Sequence, residues 1–271
     1  MTLVAKHGMR QVRRSAPDYG IMRSLPKLPM AKLPLYKKVR EKLIFSLVEG
    51  EWRPGEMLPS ESELAERYGV GISTIRAAVR ELEEAKVLMR AQGKGTFVLH
   101  FDDREKTHRF LNVIKNDGTA EQTDRTLLSL ERITAPDDVT KALQLPRSSK
   151  QSVFKLATVV RLGGKPIFHS NVFLPAEIFA RLRRTLLPDG NRSLYSLYQQ
   201  HFNVNVTRVI DSLSSVPAPP EVARTCMLPP GTWVLKLQRV SFTYNDLPVE
   251  LRINWVNTSN HCYRIQQGDR S

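Results

Sequence analysis

The apolar positions near the start of the chain recur with the period of an α-helix. From residue 35 onward, apolar side chains return every four residues, which places them on one face of an amphipathic helix. This stripe consists of Leu35, Val39, Leu43 and Leu47, and Gly50 follows it. The pattern therefore predicts a first helix that ends near residue 49.

Two shorter helices are predicted after the first, with a tight turn between them. Ser60 and Glu63 have the spacing of a capping box, in which each side chain accepts the backbone N–H of the other residue, so a helix is expected over 61–68. Gly69-Val70-Gly71 provides a three-residue turn, the length found where two helices cross in a helix-turn-helix. The third helix is expected to start near Ile72.

The third helix separates apolar from polar residues in the way that a DNA-recognition helix does. Its inward face consists of Ile75, Ala78, Val79 and Leu82. Its outward, N-terminal part carries Ser73, Thr74, Arg76 and Arg80. Two strand-like runs, 87–90 and 96–99, then predict a hairpin whose basic, glycine-rich tip contains Gln92, Gly93 and Lys94. This order of elements predicts a winged helix-turn-helix.

The second half of the chain contains many short strand-like runs between turn residues. Strands are predicted at 127–133, 152–162, 167–174, 205–215, 232–244 and 249–257. Helices are predicted at 138–143, 177–184, 194–201 and 221–227. Strands joined by hairpins and interrupted by a few helices predict an α+β domain with an antiparallel sheet.

Two stretches of this second half resemble each other. Pro136-Asp137-Asp138-Val139, followed by Leu145-Pro146, corresponds to Pro220-Glu221-Val222-Ala223, followed by Leu228-Pro229. A repeated unit of strand, helix and hairpin would explain the similarity. Such a repeat would place a pocket where the two halves meet.

Composition and charge suggest how the chain is divided and what it binds. With 41% apolar and 25% charged residues, the 271-residue chain is typical of a globular protein long enough for two domains. The formal net charge of +14 favours a polyanionic partner such as nucleic acid. We expect a basic tail over 1–33, a winged helix-turn-helix domain over 34–100, a polar linker over 101–125 and an α+β domain over 126–267.

The sequence does not support several other functional classes. No run of 18 apolar residues could span a membrane, and the first 30 residues lack the apolar core of a secretory signal, so a cytoplasmic location is expected. Cys226 and Cys262 lack the spacing of a zinc or redox site and are expected to be buried thiols. The histidines lack metal-ligand spacing, and no catalytic elbow or phosphate-binding glycine loop occurs, so no metal, cofactor or catalytic residue is expected.

Motifs in both halves resemble one family of bacterial transcription regulators. The winged-helix domain of the GntR family is resembled by Pro34-Leu35-Tyr36, Gly50-Glu51-Trp52-Arg53-Pro54-Gly55, Leu58-Pro59-Ser60-Glu61, Tyr68-Gly69-Val70, Thr74-Ile75-Arg76 and Gln92-Gly93-Lys94-Gly95-Thr96-Phe97-Val98. The UTRA effector domain of the HutC subfamily, which has a chorismate-lyase-like fold, is resembled by Ser193-Leu194-Tyr195-Ser196-Leu197, Leu228-Pro229-Pro230-Gly231-Thr232 and Leu247-Pro248-Val249-Glu250.

The resemblance implies a homodimeric repressor that binds a palindromic operator in double-stranded DNA under the control of a small metabolite. DNA contacts are then expected from Ser60, Ser62, Ile72, Ser73, Thr74, Arg76, Arg80, Gln92, Gly93 and Lys94. Arg76 matches the family's recognition-helix arginine, which can contact guanine or phosphate. Ser62 stands where some members have arginine, and Ile72 stands where most have arginine or lysine. We therefore expect an operator different from the commonest family one, with a thymine methyl group against Ile72.

For the effector domain, the resemblance implies a pocket for a metabolite that bears a carboxylate or phosphate. The expected pocket residues are Arg161, Ser170, Asn171, Tyr195, Glu250, Arg252 and Asn254. The last three share one strand face by period-two alternation. Arg161 matches one of two arginines that hold acidic effectors, and Val159 replaces the other, which disfavours a sugar phosphate.

Other interpretations remain open from the sequence alone. The effector domain could convert its ligand as an enzyme, although no paired acid and base supports this. The protein could be an architectural DNA binder that depends on its basic tail. Arg161 and Glu250 could form a surface ion pair of little stabilising value. Tyr195, Tyr198 and Phe202 have the helical spacing of core residues more than that of a stacking platform.

Overall fold

The computed structural model describes residues 33–99, 113–119, 121–146, 151–187 and 193–264 of the chain. The predicted basic tail therefore lies outside the described residues, apart from its last position. Among the described residues, no helix combines the length and apolar character needed to cross a membrane. Two regions of regular structure follow one another along the chain.

Three helices and a hairpin form the N-terminal region, as the sequence predicts. The elements are helices α1 (Leu35–Val48), α2 (Glu61–Tyr68) and α3 (Ile72–Glu84) and the antiparallel strands β1 (Leu88–Ala91) and β2 (Gly95–Val98). Helix α2 begins at the predicted capping box, in which Ser60 Oγ accepts from Glu63 N at 3.3 Å and Glu63 Oε2 accepts from Ser60 N at 2.7 Å. It ends at Gly69, whose φ of +64° favours glycine. The helix-turn-helix and its wing are confirmed.

A six-stranded antiparallel sheet forms the centre of the C-terminal region. Its strands are β4 (Thr123–Thr134), β5 (Ser152–Leu162), β6 (Lys165–Pro175), β7 (Arg208–Pro217), β8 (Trp233–Phe242) and β9 (Pro248–Val256), in the order β4-β5-β6-β9-β8-β7. A separate two-stranded ribbon pairs β3 (Val113–Lys115) with β10 (His261–Tyr263). The helices are α4 (Asp137–Ala142), α5 (Leu194–Phe202) and α6 (Pro220–Thr225). The predicted α+β class with an antiparallel sheet is confirmed.

The sheet order shows that the two halves of this region repeat the same unit. The first unit is β4-α4-β5-β6, the second is β7-α6-β8-β9, and the central pair β6-β9 joins them. Val139 and Val222 occupy matching buried places in α4 and α6. Gln144 and Met227 both adopt positive φ, at 51° and 53°, just after these helices. The internal repeat expected from the sequence is thus present in the backbone.

Different elements cover the two faces of the sheet. Helices α4 and α6 lie on one face, where Val139 and Leu143 pack against Leu251 and Ile253. Helix α5 lies on the other face, where the Tyr195 and Tyr198 hydroxyl groups reach Glu250.

The helix predicted over 177–184 is absent: the segment forms turns followed by a 3₁₀ turn, Arg184–Leu186. Its apolar residues Ile178, Phe179 and Leu182 are nevertheless buried, which explains the helical pattern.

The segment expected to be a polar linker, 101–125, contains regular structure in the part of it that is described. It includes strand β3 and the first three residues of β4, Thr123, Asp124 and Arg125. Alternation of exposed and partly buried residues in β4 continues through these positions. The polar composition concealed the strand because β4 is an edge strand whose outward positions are solvated.

Helix α1 connects the two regions. One continuous apolar cluster contains Leu43 and Leu47 of α1 together with Tyr198 and Phe202 of α5. Asn203, which ends α5 with a φ of 52°, donates from Nδ2 to the carbonyl oxygens of Leu47, at 2.8 Å, and of Val48. Side-chain capping of this kind satisfies carbonyl groups that a helix end leaves unpaired.

A second asparagine joins the same two regions. Asn245 donates from Nδ2 to Glu41 Oε2 at 2.8 Å, and its Oδ1 accepts from Arg40 Nη1 at 3.5 Å. Its φ of 55° is also positive, which asparagine tolerates better than most residues. Polar contacts therefore fix α1 at its middle and at its C-terminal end, beside the shared apolar cluster.

Asn203→Ala is expected to lower the free energy of unfolding by about 1–3 kcal/mol, because two carbonyl groups lose a donor and alanine is strained at positive φ. Asn203→Gly serves as the matched control, since glycine removes the same hydrogen bonds without the backbone strain and should cost less. Thermal and denaturant unfolding of the full chain would measure both. Equal stability of the alanine variant and the wild type would contradict the capping role.

Candidate functional site

Helix α3 presents its polar N-terminal side to solvent. Ile75, Ala78, Val79 and Leu82 are buried against the rest of the N-terminal region, as predicted. The Arg76 side chain is 62% exposed and Ile72 is 41% exposed. Ser73 and Arg80 are exposed and Thr74 is partly exposed. The structure thus brings the predicted recognition residues together on one accessible face.

The wing hairpin lies beside this face. Its tip, Gln92-Gly93-Lys94, is exposed, and Lys94 N donates to Ala91 O at 2.9 Å to close the turn. Gly93 has a φ of +72° with no atom within 4 Å of the place where a Cβ would stand, so backbone conformation alone favours glycine here. A groove between the wing and α3 is lined by Glu61, Arg76, Arg90 and Lys94 among others.

The predicted serines hold different places on α2. Ser60 uses its hydroxyl group within the capping box, where Oγ also donates to Glu63 Oε2 at 2.7 Å. Ser62 is exposed in the first turn of α2. Ser60 therefore has a structural task in addition to the DNA contact predicted for it.

A further arginine, which was not expected from the sequence, lies on this face. Arg90, in strand β1, donates from Nη2 to Glu61 Oε1 at 2.9 Å, and Arg76 Nε donates to Glu61 Oε2 at 2.6 Å. Period-two alternation in β1 places Arg90 on the same face as the buried Leu88, so the strand pattern did not indicate that Arg90 is exposed.

A buried ionic cluster occupies the sheet face below α5. Glu250 has no exposed surface, and its carboxylate accepts from Arg252 Nε at 3.1 Å and from Arg252 Nη2 at 2.8 Å. Tyr198 Oη donates to Glu250 Oε2 at 2.5 Å, and Ser241 Oγ donates to Oε1 at 3.2 Å. Tyr195 Oη lies 2.8 Å from Ser241 Oγ. Both carboxylate oxygens are therefore satisfied.

The electrostatic environment favours the charged form of Glu250. Burial alone would raise the pKa of this carboxyl group, but Arg252 and the hydrogen bond from Tyr198 outweigh burial and hold the pKa below its ordinary value. Burial raises the pKa of Tyr198, as does the neighbouring carboxylate, so the phenol remains a donor.

Two more arginines extend the cluster along the sheet. Arg239, which pairs with Arg252 across β8 and β9, donates from Nε and Nη2 to Asp211 at 2.7 and 2.6 Å. Burial, reinforced by the positive charge of Arg252, lowers the pKa of Arg125 to about 10. Three guanidinium groups face two carboxylates here, so the cluster carries an excess of positive charge.

A cavity of about 490 Å³ opens next to Arg125. Its lining comes from β4, β5, the 3₁₀ turn and the start of α5, and includes Arg125, Leu127, Thr158, Arg184 and Leu194. Among the lining side chains, Arg125 and Arg184 are positively charged and Asp124 is negatively charged. The N–H groups at the start of a helix add a partial positive potential.

The structure separates the predicted effector residues into two groups. Tyr195, Glu250 and Arg252 meet in the buried cluster, and Ser170 Oγ donates to Asn254 Oδ1 at 2.6 Å on the same sheet face. This grouping agrees with the alternation predicted for Glu250, Arg252 and Asn254.

Arg161 and Asn171 lie on the opposite sheet face, so the expected convergence of Arg161 with Glu250 does not occur. Arg161 Nη1 donates to Thr126 Oγ1 at 2.9 Å, so Arg161 contacts a residue of the cavity wall without lining the cavity itself. Asn171 pairs with Ile253, which packs against helix α4. Neighbouring strand residues point to opposite faces of the sheet. Asn171 is therefore on the face opposite to Ser170, and Arg161 is on the face opposite to Val160.

Arg125 and Arg184 were absent from the predicted pocket. Arg125 falls within the segment expected to be a linker, although its spacing of two from Leu127 is a strand signal. Arg184 belongs to a stretch whose helical pattern was misleading. Tyr198 and Phe202 are core residues as expected, with Phe179 in edge contact at ring distances of 4.9 and 5.1 Å.

Comparison with known families identifies both regions. Residues 35–98 match the model of the gntR family of bacterial regulatory proteins, and residues 120–261, just over half of the chain, match the UTRA domain. In the part of the chain that the structure describes, no group of acidic, histidine and cysteine side chains is arranged to hold a metal ion.

Several transcription regulators are similar to the chain over most of its length. A probable fructoselysine utilization operon transcriptional repressor of Escherichia coli strain K12 is 28% identical over 224 residues, covering 80% of this chain and 88% of that protein. The HTH-type transcriptional repressor NagR of Bacillus subtilis is 23% identical, covering 88% and 92%. These relatives are DNA-binding regulators and not enzymes.

Solved structures agree with the fold. The ligand-binding domain of a GntR-family transcriptional regulator from Bordetella bronchiseptica is 28% identical, with a TM-score of 0.55, and covers 59% of this chain and 98% of that chain. The regulator YydK of Bacillus subtilis, 15% identical with a TM-score of 0.50, covers 87% and 100% and supports the fold only.

Glu250→Gln is expected to lower the free energy of unfolding by about 3–5 kcal/mol, because Arg252 would stay buried without its counter-charge. Since the folded-state pKa of Glu250 is depressed, the wild type has this contribution in full above pH 4.5 and loses it as pH falls through the lowered pKa. The variant should therefore show a flatter pH dependence in acid.

Glu131→Gln is the matched control, because Glu131 is an exposed carboxylate of the same domain. Denaturant unfolding between pH 3 and pH 7 would measure both variants. A pH dependence in Glu250→Gln as steep as that of the wild type would exclude Glu250 as its source.

Proposed function

Because the chain belongs to the GntR family of bacterial regulatory proteins and has a UTRA domain, we propose that it is a cytoplasmic repressor with a ligand-controlled affinity for operator DNA. It acts as a homodimer, in which two winged helices bind the half-sites of a palindrome. The observation that carries this function is the exposed polar side of α3 beside a glycine-tipped, basic wing.

The DNA contacts follow from the placement of charge on this face. Arg76 approaches base edges in the major groove, and Ser73 and Thr74, at the start of α3, contact phosphate or base edges. Lys94 at the wing tip contacts phosphate near the adjacent minor groove. The net charge of residues 34–100 is only +1, with eleven basic and ten acidic residues, so local clustering supplies the affinity.

Ile72 supports an operator that differs from the commonest family one. Its side chain is exposed at the first position of α3, where contact of an apolar group with water is unfavourable. A thymine methyl group in the major groove is the natural contact for such a side chain. Selection of the usual family operator from random DNA would contradict this proposal.

The cavity next to Arg125 is the proposed effector site. Arg125, Arg184 and the start of α5 supply positive potential, which suits a small metabolite with a carboxylate or phosphate group. The ionic cluster of Glu250 and Arg252 lies next to Arg125 and supports this wall of the cavity. Arg161 and Asn171 have no part in this site.

Helix α5 connects the cavity with the DNA-binding region. Leu194, its first residue, lines the cavity, and Asn203 at its end caps α1 of the DNA-binding region. An effector changes operator affinity only if it binds two arrangements of the dimer with different affinities. A shift of α5 that alters the α1 contact would provide two such arrangements.

Arg76→Ala is expected to weaken operator binding by about 1–3 kcal/mol, while binding to unrelated duplex changes much less, because the arginine contributes to base recognition. Arg132→Ala, an exposed arginine of β4, is the matched control for lost charge. Fluorescence anisotropy with an operator selected from random DNA would measure both. Unchanged operator affinity of Arg76→Ala would exclude the recognition role.

Arg125→Gln is expected to abolish stabilisation of the full chain by an anionic effector, because the cavity loses a charged donor. Thermal unfolding would be followed with phosphorylated monosaccharides, their neutral parent sugars, small carboxylates and fructoselysine, which is included because a relative is named for it. A raised unfolding midpoint with an anion in the wild type and Arg132→Gln, but not in Arg125→Gln, is the expected result. An equal response in all three proteins would place the ligand elsewhere.

A further inference from the structure

One carboxylate on the DNA-binding face connects three separate elements. Glu61 is the first residue of α2, and its two oxygen atoms accept from different arginines. Arg76 Nε of α3 lies 2.6 Å from Oε2, and Arg90 Nη2 of β1 lies 2.9 Å from Oε1. The recognition helix and the wing are thus joined through one acidic side chain.

The hydrogen bond to Nε determines how Arg76 can meet DNA. A guanidinium group held at Nε keeps its two terminal nitrogens for an acceptor on the far side. Those terminal nitrogens can donate a bidentate pair of hydrogen bonds to the O6 and N7 atoms of guanine. Holding Nε also removes rotational freedom from a long side chain before DNA arrives, which lowers the entropic cost of binding.

Glu61 lies on a surface that is proposed to face DNA, where a negative charge opposes attraction to the phosphate backbone. Glu61 is only 26% exposed and faces the groove that the wing and α3 enclose. A negative charge near a phosphate backbone weakens non-specific binding. Glu61 weakens the electrostatic attraction between this face and DNA phosphates. Its contribution to DNA binding is therefore the ordering of the arginines that it contacts.

Arg90 lies at the wing side of the same carboxylate. Its side chain is 49% exposed, and Nε lies 3.7 Å from Glu83 Oε1 in addition to the Glu61 contact. Two carboxylates hold this arginine in β1, one residue before the strand ends at the wing tip.

We propose that Glu61 is a positioning residue, which orients Arg76 for a specific guanine and fixes Arg90 as a phosphate contact of the wing. This inference rests on the proposed DNA-binding function. It adds two residues to the predicted set and assigns them different tasks. Glu61 controls specificity, and Arg90 adds affinity without regard to sequence.

The test compares Glu61→Ala with Glu66→Gln, which removes a negative charge from an exposed place on the same helix. Each variant is titrated with the operator that the wild type selects from random DNA, with the same duplex altered at single guanines, and with an unrelated duplex. Glu61→Ala is expected to reduce the ratio of specific to non-specific affinity about tenfold. Glu66→Gln should leave that ratio unchanged.

A double-mutant cycle separates positioning from a structural effect. In the background of Arg76→Ala, the further change Glu61→Ala should no longer lower the ratio, because the side chain that it orients is gone. Arg90→Ala should weaken both duplexes alike and reduce the slope of log affinity against log salt by about one. Circular dichroism and thermal unfolding of each variant confirm that the fold is retained.

The outcomes distinguish this inference from the function on which it rests. Failure of the wild type to select any sequence would overturn the proposed function and this inference together. A selected operator whose specificity ratio is unchanged in Glu61→Ala would overturn only the positioning role. Tighter operator binding at an undiminished ratio would show that Glu61 competes with DNA for Arg76, which also overturns it.

Discussion

A carboxylate with no exposed surface is the constraint around which the C-terminal domain is arranged. Glu250 remains charged inside the sheet because Arg252 neutralises it and because Tyr198 and Ser241 satisfy its remaining acceptor positions. Removing any partner would leave a buried charge poorly compensated. The need for these donors fixes helix α5 against the sheet at one height and one rotation.

The fixed position of α5 determines both candidate sites. Its first residue contributes to the wall of the cavity, and its last turn leads to Asn203, which caps α1. The apolar cluster shared by α1 and α5 means that neither helix can tilt without disturbing the other. A well-packed connection of this kind can transmit a small displacement, because a close-packed core does not absorb it.

Sequence patterns predicted the elements best where one physical signal dominated. The capping box at Ser60, the turn at Gly69 and the apolar stripe of α3 are local, and all three are present in the structure. The pocket was predicted less well because it depends on which face a strand residue occupies. Arg161 carries the right chemistry but differs in parity from Thr158, which lines the cavity.

The other incorrect or missing predictions also concern features that depend on tertiary structure. Arg125 lies on an edge strand whose polar exterior resembled a linker, and the 177–184 segment buries helix-spaced apolar residues in turns. The bridge from Glu61 to two arginines joins residues 15 and 29 positions away, so tertiary folding alone brings these residues together. Local pattern contains no information on such contacts.

The two copies of the repeated unit in the C-terminal domain bring different side chains to the sheet face below α5. Pro166, the second residue of β6, is equivalent to Pro248 of β9. Phe168 therefore stands where the second copy has Glu250, and Ser170 stands where it has Arg252. The two copies thus share a backbone plan but divide the chemistry between them. The second copy supplies Glu250, Arg252, Asp211 and Arg239, and the first copy supplies Arg125, so the complete charged cluster forms only because both copies belong to one sheet.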